Sequence, residues 1–534
     1  MSTSPFILLW VAREQETNET PMIGQAMLSV LRETRSRSRR VLLGMILSLS
    51  LTGTCRGQCS SVASTPQAAA DCAAHATPET TIASLDASHP YSLAELIDIG
   101  EHNNPTTRIA WERAKQRAES LGIAKSEYFP VLAGIAAFGD SRSITPFPAA
   151  LVSKGYTMVE VPFVQPEVTL EYLLFDFGKR EAKVDAAAAQ KLAAGANFIQ
   201  TNQDVAFQVA TAYYDLVTAQ ERLQAARETL KTAQTTQDAA EAQLANGRST
   251  TPDVLNAQAE TAQAIFDLES AEGDEMVARV LLSEAIGVEP TPHVLIDAQE
   301  NAPLPQSLTL TIEELIDRAI ASRPDLAAQA AAIRSAGDDV RSARADYLPR
   351  IVLSGSVAQT SLWATSDSGR LGNASMPTWS ATLGVQWRIF DGGARKHALR
   401  EAESKQREEQ DKMTDLRDRT TREVWSAYIG FRTAVQKEHA AVALLTSATA
   451  SYDSSLESYK YGVRTLVDVV TAQRQLAQAR LSSVAARSGL FLGAVDLEFA
   501  TGNLLRNQPP ATAIGPHEGK NEEDDIKETS AAAN

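Results

Sequence analysis

From about residue 91 onward the chain reads itself twice. Leu96, Pro105, Tyr128 and Pro130 recur 219 positions later as Leu315, Pro324, Tyr347 and Pro349, without a gap. From Phe175 the offset becomes 215 and holds to the end. Phe175-Asp176-Phe177-Gly178 answers to Phe390-Asp391-Gly392-Gly393, and Val209, Tyr213, Gly247, Asp253, Gln258 and Gly287 answer to Val424, Tyr428, Gly462, Asp468, Gln473 and Gly502. The four-residue difference lies between Pro130 and Phe175, where one half has a longer loop. Each half is therefore one structural unit, and the architecture must be assembled from two of them.

Both halves carry the same order of elements. A short helix around 93–102 and a second from Thr106 to about Lys125 are separated at Pro105, which biases its predecessor away from helix. Tyr128-Phe129-Pro130 ends that pattern. No proline occurs from 179 to 251 or from 394 to 508. A helix from 179 to 245 would be about 100 Å long at ~1.5 Å per residue, more than an ordinary globular domain needs. Along it Val205, Val209, Ala212, Leu216, Ala219, Leu223 and onward to Leu244 alternate spacings of four and three. That 3.5-residue repeat predicts supercoiling against neighbours, with a close Ala/Leu seam.

The segments between the helices alternate instead. In Trp379–Ile389 one face is Trp379, Ala381, Leu383, Val385, Trp387 and Ile389, and the other is Ser380, Thr382, Gly384, Gln386 and Arg388. That pattern, with tryptophans toward the ends, suits a strand between lipid and water, although a half-buried soluble hairpin would read alike. Val168, Leu170, Tyr172 and Leu174 against Thr169, Glu171 and Leu173 repeat it less cleanly, and 131–140 and 351–359 more weakly. Two hairpins give four strands, whose open edges in lipid would leave backbone groups unpaired at several kcal/mol each. The sheet must close with other chains. Two copies give eight strands and a filled interior; three give twelve and a lumen, so a homotrimer is expected.

The N-terminus carries an address. Arg35, Arg37, Arg39 and Arg40 precede the apolar run Val41–Leu51, which is roughly half the ~20 residues a membrane-spanning helix needs, so a secretory signal is favoured over an anchor. The long stretch before it points to a start at Met22 or Met27. Thr52-Gly53-Thr54-Cys55 resembles a lipoprotein cleavage box with Cys55 as acylation site, though Thr54 fits that box imperfectly. Losing residues 1–54 removes six arginines and four acids, taking the net charge from −16 to −18. Such an acidic chain excludes nucleic acid as a partner, because phosphate neutralisation needs a basic face.

The chemistry of enzymes is missing from the patterned region. Its only cysteines, Cys55, Cys59 and Cys72, precede it, and the seven histidines never fall within one helical turn of each other, so neither a thiolate site nor an HExxH pair exists. There is no GxSxG with a plausible histidine, no GxxxxGK and no GxGxxG opening a helix. Phe-Asp-Gly-Gly could be taken for a metal or phosphate loop, but its recurrence marks a strand-to-helix turn. No cofactor is expected.

Two turns complete the pattern: Tyr461-Gly462-Val463-Arg464-Thr465-Leu466-Val467-Asp468-Val469-Val470, and its first-half counterpart Asn246-Gly247-Arg248-Ser249-Thr250-Thr251-Pro252-Asp253-Val254-Leu255. With the duplication, the Tyr-x-Pro and Phe-Asp-x-Gly motifs and the long helices, residues 91–505 resemble the outer-membrane efflux proteins, the family of TolC. The resemblance implies a mixed fold: a membrane β-barrel of twelve strands in a trimer, continuing into a coiled-coil α-helical barrel across the periplasm. It also implies a closed tip opened by a periplasmic adaptor protein, with an inner-membrane RND or ABC transporter supplying energy. On the family pattern Gly247, Arg248, Ser249, Gly462, Val463 and Arg464 meet the adaptor. Asp253, Tyr459 and Arg464 tie the closed entrance, and Asp468 forms an acidic ring. Thr471 stands where the family's best-studied members carry a second aspartate, which puts a double ring in doubt.

The implied organisation is a signal sequence (1–54), a low-complexity tether (55–90) and a first repeat (91–305) with hairpin 131–175 and helix pair 179–286. A second repeat (306–505) has hairpin 351–390 and helix pair 394–502, and a disordered acidic tail (506–534) follows. The function expected is a passive exit duct of a tripartite efflux pump; the alternatives are the outer component of a type I protein secretion system, or a periplasmic coiled-coil scaffold.

Overall fold

The computed structural model describes residues 89–297 apart from 147, 149, 151 and 152, residues 305–308, residues 310–505 apart from 368, and 512–514, together with 65, 67 and 71. The expected signal and Cys55 lie outside the described residues, as does most of the tether and the tail.

Each half runs short helix, helix, hairpin, long helix, helix. The first has α1 (Leu93–Asn103), α2 (Pro105–Ser126), β1 (Val131–Pro146), β2 (Tyr156–Phe175), α3 (Lys179–Ala245) and α4 (Thr251–Ala285). After the linker strand β3 (Pro305–Leu308) the second has α5 (Ile312–Ser322), α6 (Pro324–Ala345), β4 (Arg350–Ser366), β5 (Gly369–Gln386), α7 (Ala394–Lys460) and α8 (Leu466–Ala500). The last strand, β6 (Thr512–Ile514), lies in the stretch expected to be a disordered tail: it pairs antiparallel with β3, where the linker offers an open backbone edge.

The long helices α3 and α7 have 67 residues each, about 100 Å at ~1.5 Å per residue. Shorter helices fill in beside them. On the sheet side the packing order is α2, α3, α6, α7; on the far side it is α4, α3, α8, α7. Residues at duplicated positions build matching cores: Leu96, Val209 and Leu282 in one half, Leu315, Val424 and Leu497 in the other, all fully buried. The Ala-rich seam of α3 packs from Val205 to Ala240, but Leu244 at its end is 36% exposed. Thr218, Thr232 and Thr236 join that seam, each bonding a carbonyl four residues back.

The hairpins form one antiparallel sheet in the order β1-β2-β4-β5. Register puts like with like. Leu170, Gly355 and Ala381 share a row, as do Val168, Val357 and Trp379, and Leu353 faces Leu383; the rows between them hold Thr169, Ser356 and Ser380, then Glu171, Ser354 and Thr382. In these rows one face is thus apolar across three strands and the other polar, while β1 opposite them, Val131 to Gly134, is apolar on both. Trp379, Leu383 and Val385 are 78%, 65% and 67% exposed. Two expectations are corrected. Leu174 is the extra residue of a β-bulge, so Phe175 takes the row of Ile351 and Val385. β5 stops at Gln386, because Trp387 donates its indole N–H to the Tyr347 carbonyl (3.0 Å) and the chain turns away.

The joint between sheet and helices explains both short motifs. Arg180 bonds the carbonyls of Glu127 and Leu174 (both 3.1 Å), lies 5.1 Å from the Tyr128 ring centre and pairs with Asp176 (3.4 Å). Arg395 repeats this with Asp346, Ile389, Tyr347 and Asp391. The positive φ required in Phe-Asp-x-Gly falls on Phe177 (55°) in one half and on Gly392 (66°) in the other. No helix among the described residues is long and apolar enough to cross a membrane.

Candidate functional site

The site is the end of the helical body farthest from the sheet, where both long helices reverse. Each reversal is a Schellman turn. Gly247 takes φ 67° and donates to the Leu244 carbonyl (2.9 Å), while Arg248 N–H donates to Gln243 (2.8 Å); Gly462, at φ 75°, and Val463 do the same to Tyr459 and Ser458 (both 2.9 Å). Only a residue that tolerates a left-handed backbone fits there at low cost. Gly247, Gly462, Arg248 and Val463 are left exposed at the very tip, Val463 by 79%.

The next helices start on carboxylates. Asp468 Oδ2 accepts from Thr465 N (3.0 Å) and Oγ1 (2.8 Å), and Asp468 N donates back to Thr465 Oγ1 (3.4 Å), a reciprocal capping box. Asp253 Oδ2 likewise accepts from Thr250 N (3.0 Å) and Oγ1 (2.7 Å), and also from Ser249 Oγ (3.2 Å). The threonine hydroxyl and then its amide hold both carboxyls below their ordinary range. Both are therefore charged at neutral pH and occupied within their own turns. Thr471 spends its hydroxyl on the Val467 carbonyl (2.7 Å).

Between the two helix pairs, Tyr459 is 6% exposed and donates to Ser249 Oγ (3.3 Å), so it reaches Asp253 through that hydroxyl. Arg464 does not join them: its hydrogen bond goes to Ser455 Oγ (3.2 Å) of its own pair. Of the expected tie, then, Asp253 and Tyr459 come together and Arg464 stays apart within one chain.

Sequence reasoning missed most of the seam above the tip. Tyr452, one heptad before Tyr459, is buried beside Thr236 Oγ1 (3.2 Å) and donates to the Thr232 carbonyl (3.2 Å). Along this stretch three ion pairs join the halves, Arg474 with Glu260, Arg480 with Glu228 (3.4 Å) and Arg487 with Glu221 (3.6 Å); nearer the sheet, Lys179 with Asp346 and Arg341 with Asp185 (2.7 Å) join them too. Gln243 Nε2 donates to the Lys460 carbonyl (2.7 Å). The threonines that interrupt the alanine seam at 232 and 236 were the available signal. No group of His, Cys, Asp and Glu among the described residues could hold a metal ion. What this arrangement can do is hold two helix hairpins side by side by single polar contacts, some buried and some at the surface.

Comparison with known proteins fits this geometry. The family model described as outer membrane efflux protein matches residues 96–288 and 315–503, one match to each half of the duplication and together more than half of the chain. The chain is 29% identical over 425 residues to protein CyaE of Bordetella pertussis, covering 78% of this chain and 85% of that protein. It is 29% identical over 410 residues to the outer membrane efflux protein BepC of Brucella suis, covering 76% and 84%. A crystal structure of a membrane protein from Pseudomonas aeruginosa is similar with a TM-score of 0.66 at 25% identity, covering 77% of this chain and 93% of that one. The duplicated halves, the four-stranded sheet and the paired tips are those of an outer-membrane channel reaching into the periplasm, not of an enzyme, and the chain belongs to the outer membrane efflux protein family.

Proposed function

We propose that three copies close their sheets into a twelve-stranded barrel in the outer membrane, continued by a helical tube, and that this assembly is the passive exit duct of a tripartite efflux pump. The observation that carries the reading is the pair of open edges: β1 and β5 each pair on one side only, in a sheet with an apolar face. Unpaired backbone in lipid costs several kcal/mol per group, so these edges must be covered. Successive strands are antiparallel, so β1 and β5 run in opposite directions and β5 of one copy can pair with β1 of the next. Two copies would give eight strands with a filled interior; three leave a lumen.

At the other end the exposed turns at Gly247, Arg248, Ser249, Gly462, Val463 and Arg464 are the surface on which a periplasmic adaptor docks. Asp253, Tyr459, Arg464 and Asp468 set whether the entrance is closed. The energy comes from an inner-membrane transporter of the RND or ABC class, and outer-membrane lipid surrounds the barrel. Similarity to a protein named for efflux supports the duct reading. Purified protein added to planar lipid bilayers is expected to give discrete channel conductances; folded protein that inserts and conducts nothing overturns the reading.

A further inference from the structure

The duplication says more about the assembly than that it is a ring. On the tip side the helices stand in the order α4, α3, α8, α7, so the two halves meet along one seam, α3 against α8. Helices α4 and α7 are the outer members, each with one side open. In a ring of equivalent halves, the seam between copies repeats the seam inside the chain with every residue exchanged for its mate 215 positions away. We propose that α4 of one copy packs on α7 of the next as α8 packs on α3 within the chain, with Ile265 seated over Ala443, Leu444 and Ser447.

Inside the chain, Arg480 lies in the corresponding place: it pairs with Glu228 and donates to Thr232 Oγ1 (3.1 Å) and Thr229 Oγ1 (3.5 Å). Its mate is Ile265, and the mates of Glu228, Thr229 and Thr232 are Ala443, Leu444 and Ser447. An ion-paired contact thus becomes an apolar one. Ile265 and Leu444 are 46% and 49% exposed in the single chain, an uncovered pair on the two open sides. The other ion pairs vanish in the same exchange: Arg474 with Glu260 becomes Ala259 with Gln475, and Arg487 with Glu221 becomes Glu272 with Gln436. None of the three pairs is replaced by another pair of opposite charges. The ring therefore has two kinds of seam, ion-paired at these three places within chains and lacking those ion pairs between them, with an apolar contact at Ile265, and a second copy of this chain is the partner whose surface matches.

This inference rests on the ring proposed above, and the experiment separates the two. Ile265→Cys and Leu444→Cys are combined in a chain whose Cys59 and Cys72 are serine, and the purified detergent-solubilised protein is treated with a short bis-maleimide. Since α4 and α7 are not neighbours within one chain, a link between these positions must join copies. Denaturing gels are expected to show two-chain and three-chain bands, with each single-cysteine chain remaining almost wholly monomeric. Trimers by light scattering whose two cysteines both react with a monomaleimide, yet which give only one-chain bands, overturn the pairing and leave the ring standing. A folded monomer takes down both. Should the double variant fail to assemble, a photo-crosslinking residue at 265 in the otherwise native chain must label a peptide containing 443–447, and labelling elsewhere overturns the pairing.

Discussion

At the residue scale the tip is held by single hydrogen bonds. The link from Tyr459 to Ser249 and on to Asp253 joins the first hairpin to the second at the turns side chain to side chain, beside the bond from Gln243 to the Lys460 carbonyl. A neutral hydrogen bond contributes only about 0.5–1.5 kcal/mol, so in the proposed trimer three copies would bias a two-state entrance without locking it. Tyr459→Phe, combined with Arg464→Ser, is expected to raise single-channel conductance in planar bilayers, with most of the effect already present in Tyr459→Phe alone, because Arg464 bonds within its own pair. Unchanged conductance with normal assembly would mean that neither residue holds the entrance closed. A second residue works through pH. Glu101 is 7% exposed, and burial, with Asp98 nearby, pushes its carboxyl up to about 7 from 4.5. The folded state then holds its proton where the unfolded state has lost it, so the stability this group contributes is full below about 4.5 and is lost as pH rises through 7. Glu101→Gln is expected to flatten that decline, by roughly 2–3 kcal/mol at pH 8, in thermal unfolding followed by circular dichroism between pH 5 and 8.

At the element scale the sheet and the joint carry the argument. Leu383 sits opposite Leu353 on the apolar face and Thr382 opposite Ser354 on the polar one. Leu383→Arg is expected to cost ~2–4 kcal/mol near the bilayer midplane and to lower the yield of protein in outer-membrane fractions, with Thr382→Arg much milder. Equal losses would mean that the two faces are assigned wrongly, since a slip of one residue exchanges them. The strand alternation around Trp379 was readable because side-chain direction reverses at every residue. The bulge at Leu174 was not, because it depends on where β4 meets β2. Likewise nothing local marks the two arginines of the joint, because the carbonyls that each guanidinium binds come from two elements that only the fold brings together.

At the scale of the whole molecule the two ends of the chain pose the same problem. The sheet has two open edges and the helical layer two open sides, and the proposed closed ring would cover all of them. Protein purified in detergent is expected to have the protein mass of three chains by light scattering with refractive-index correction; a monodisperse folded monomer would contradict closure. The sequence by itself determined the number of halves, that each holds a proline-free stretch long enough for a helix of about 100 Å, and the glycine turns at the helix ends. All of these rest on periodicity, on proline placement or on contacts within three or four residues. The tertiary structure alone decided that Tyr459 meets Ser249, that Arg480 meets Glu228, and that residues 512–514 pair with the linker. Those partners lie some two hundred residues apart, and a duplicated chain writes nearly the same local pattern into both halves. Such a pattern cannot say which half packs on which; only the packing of whole helices settles it.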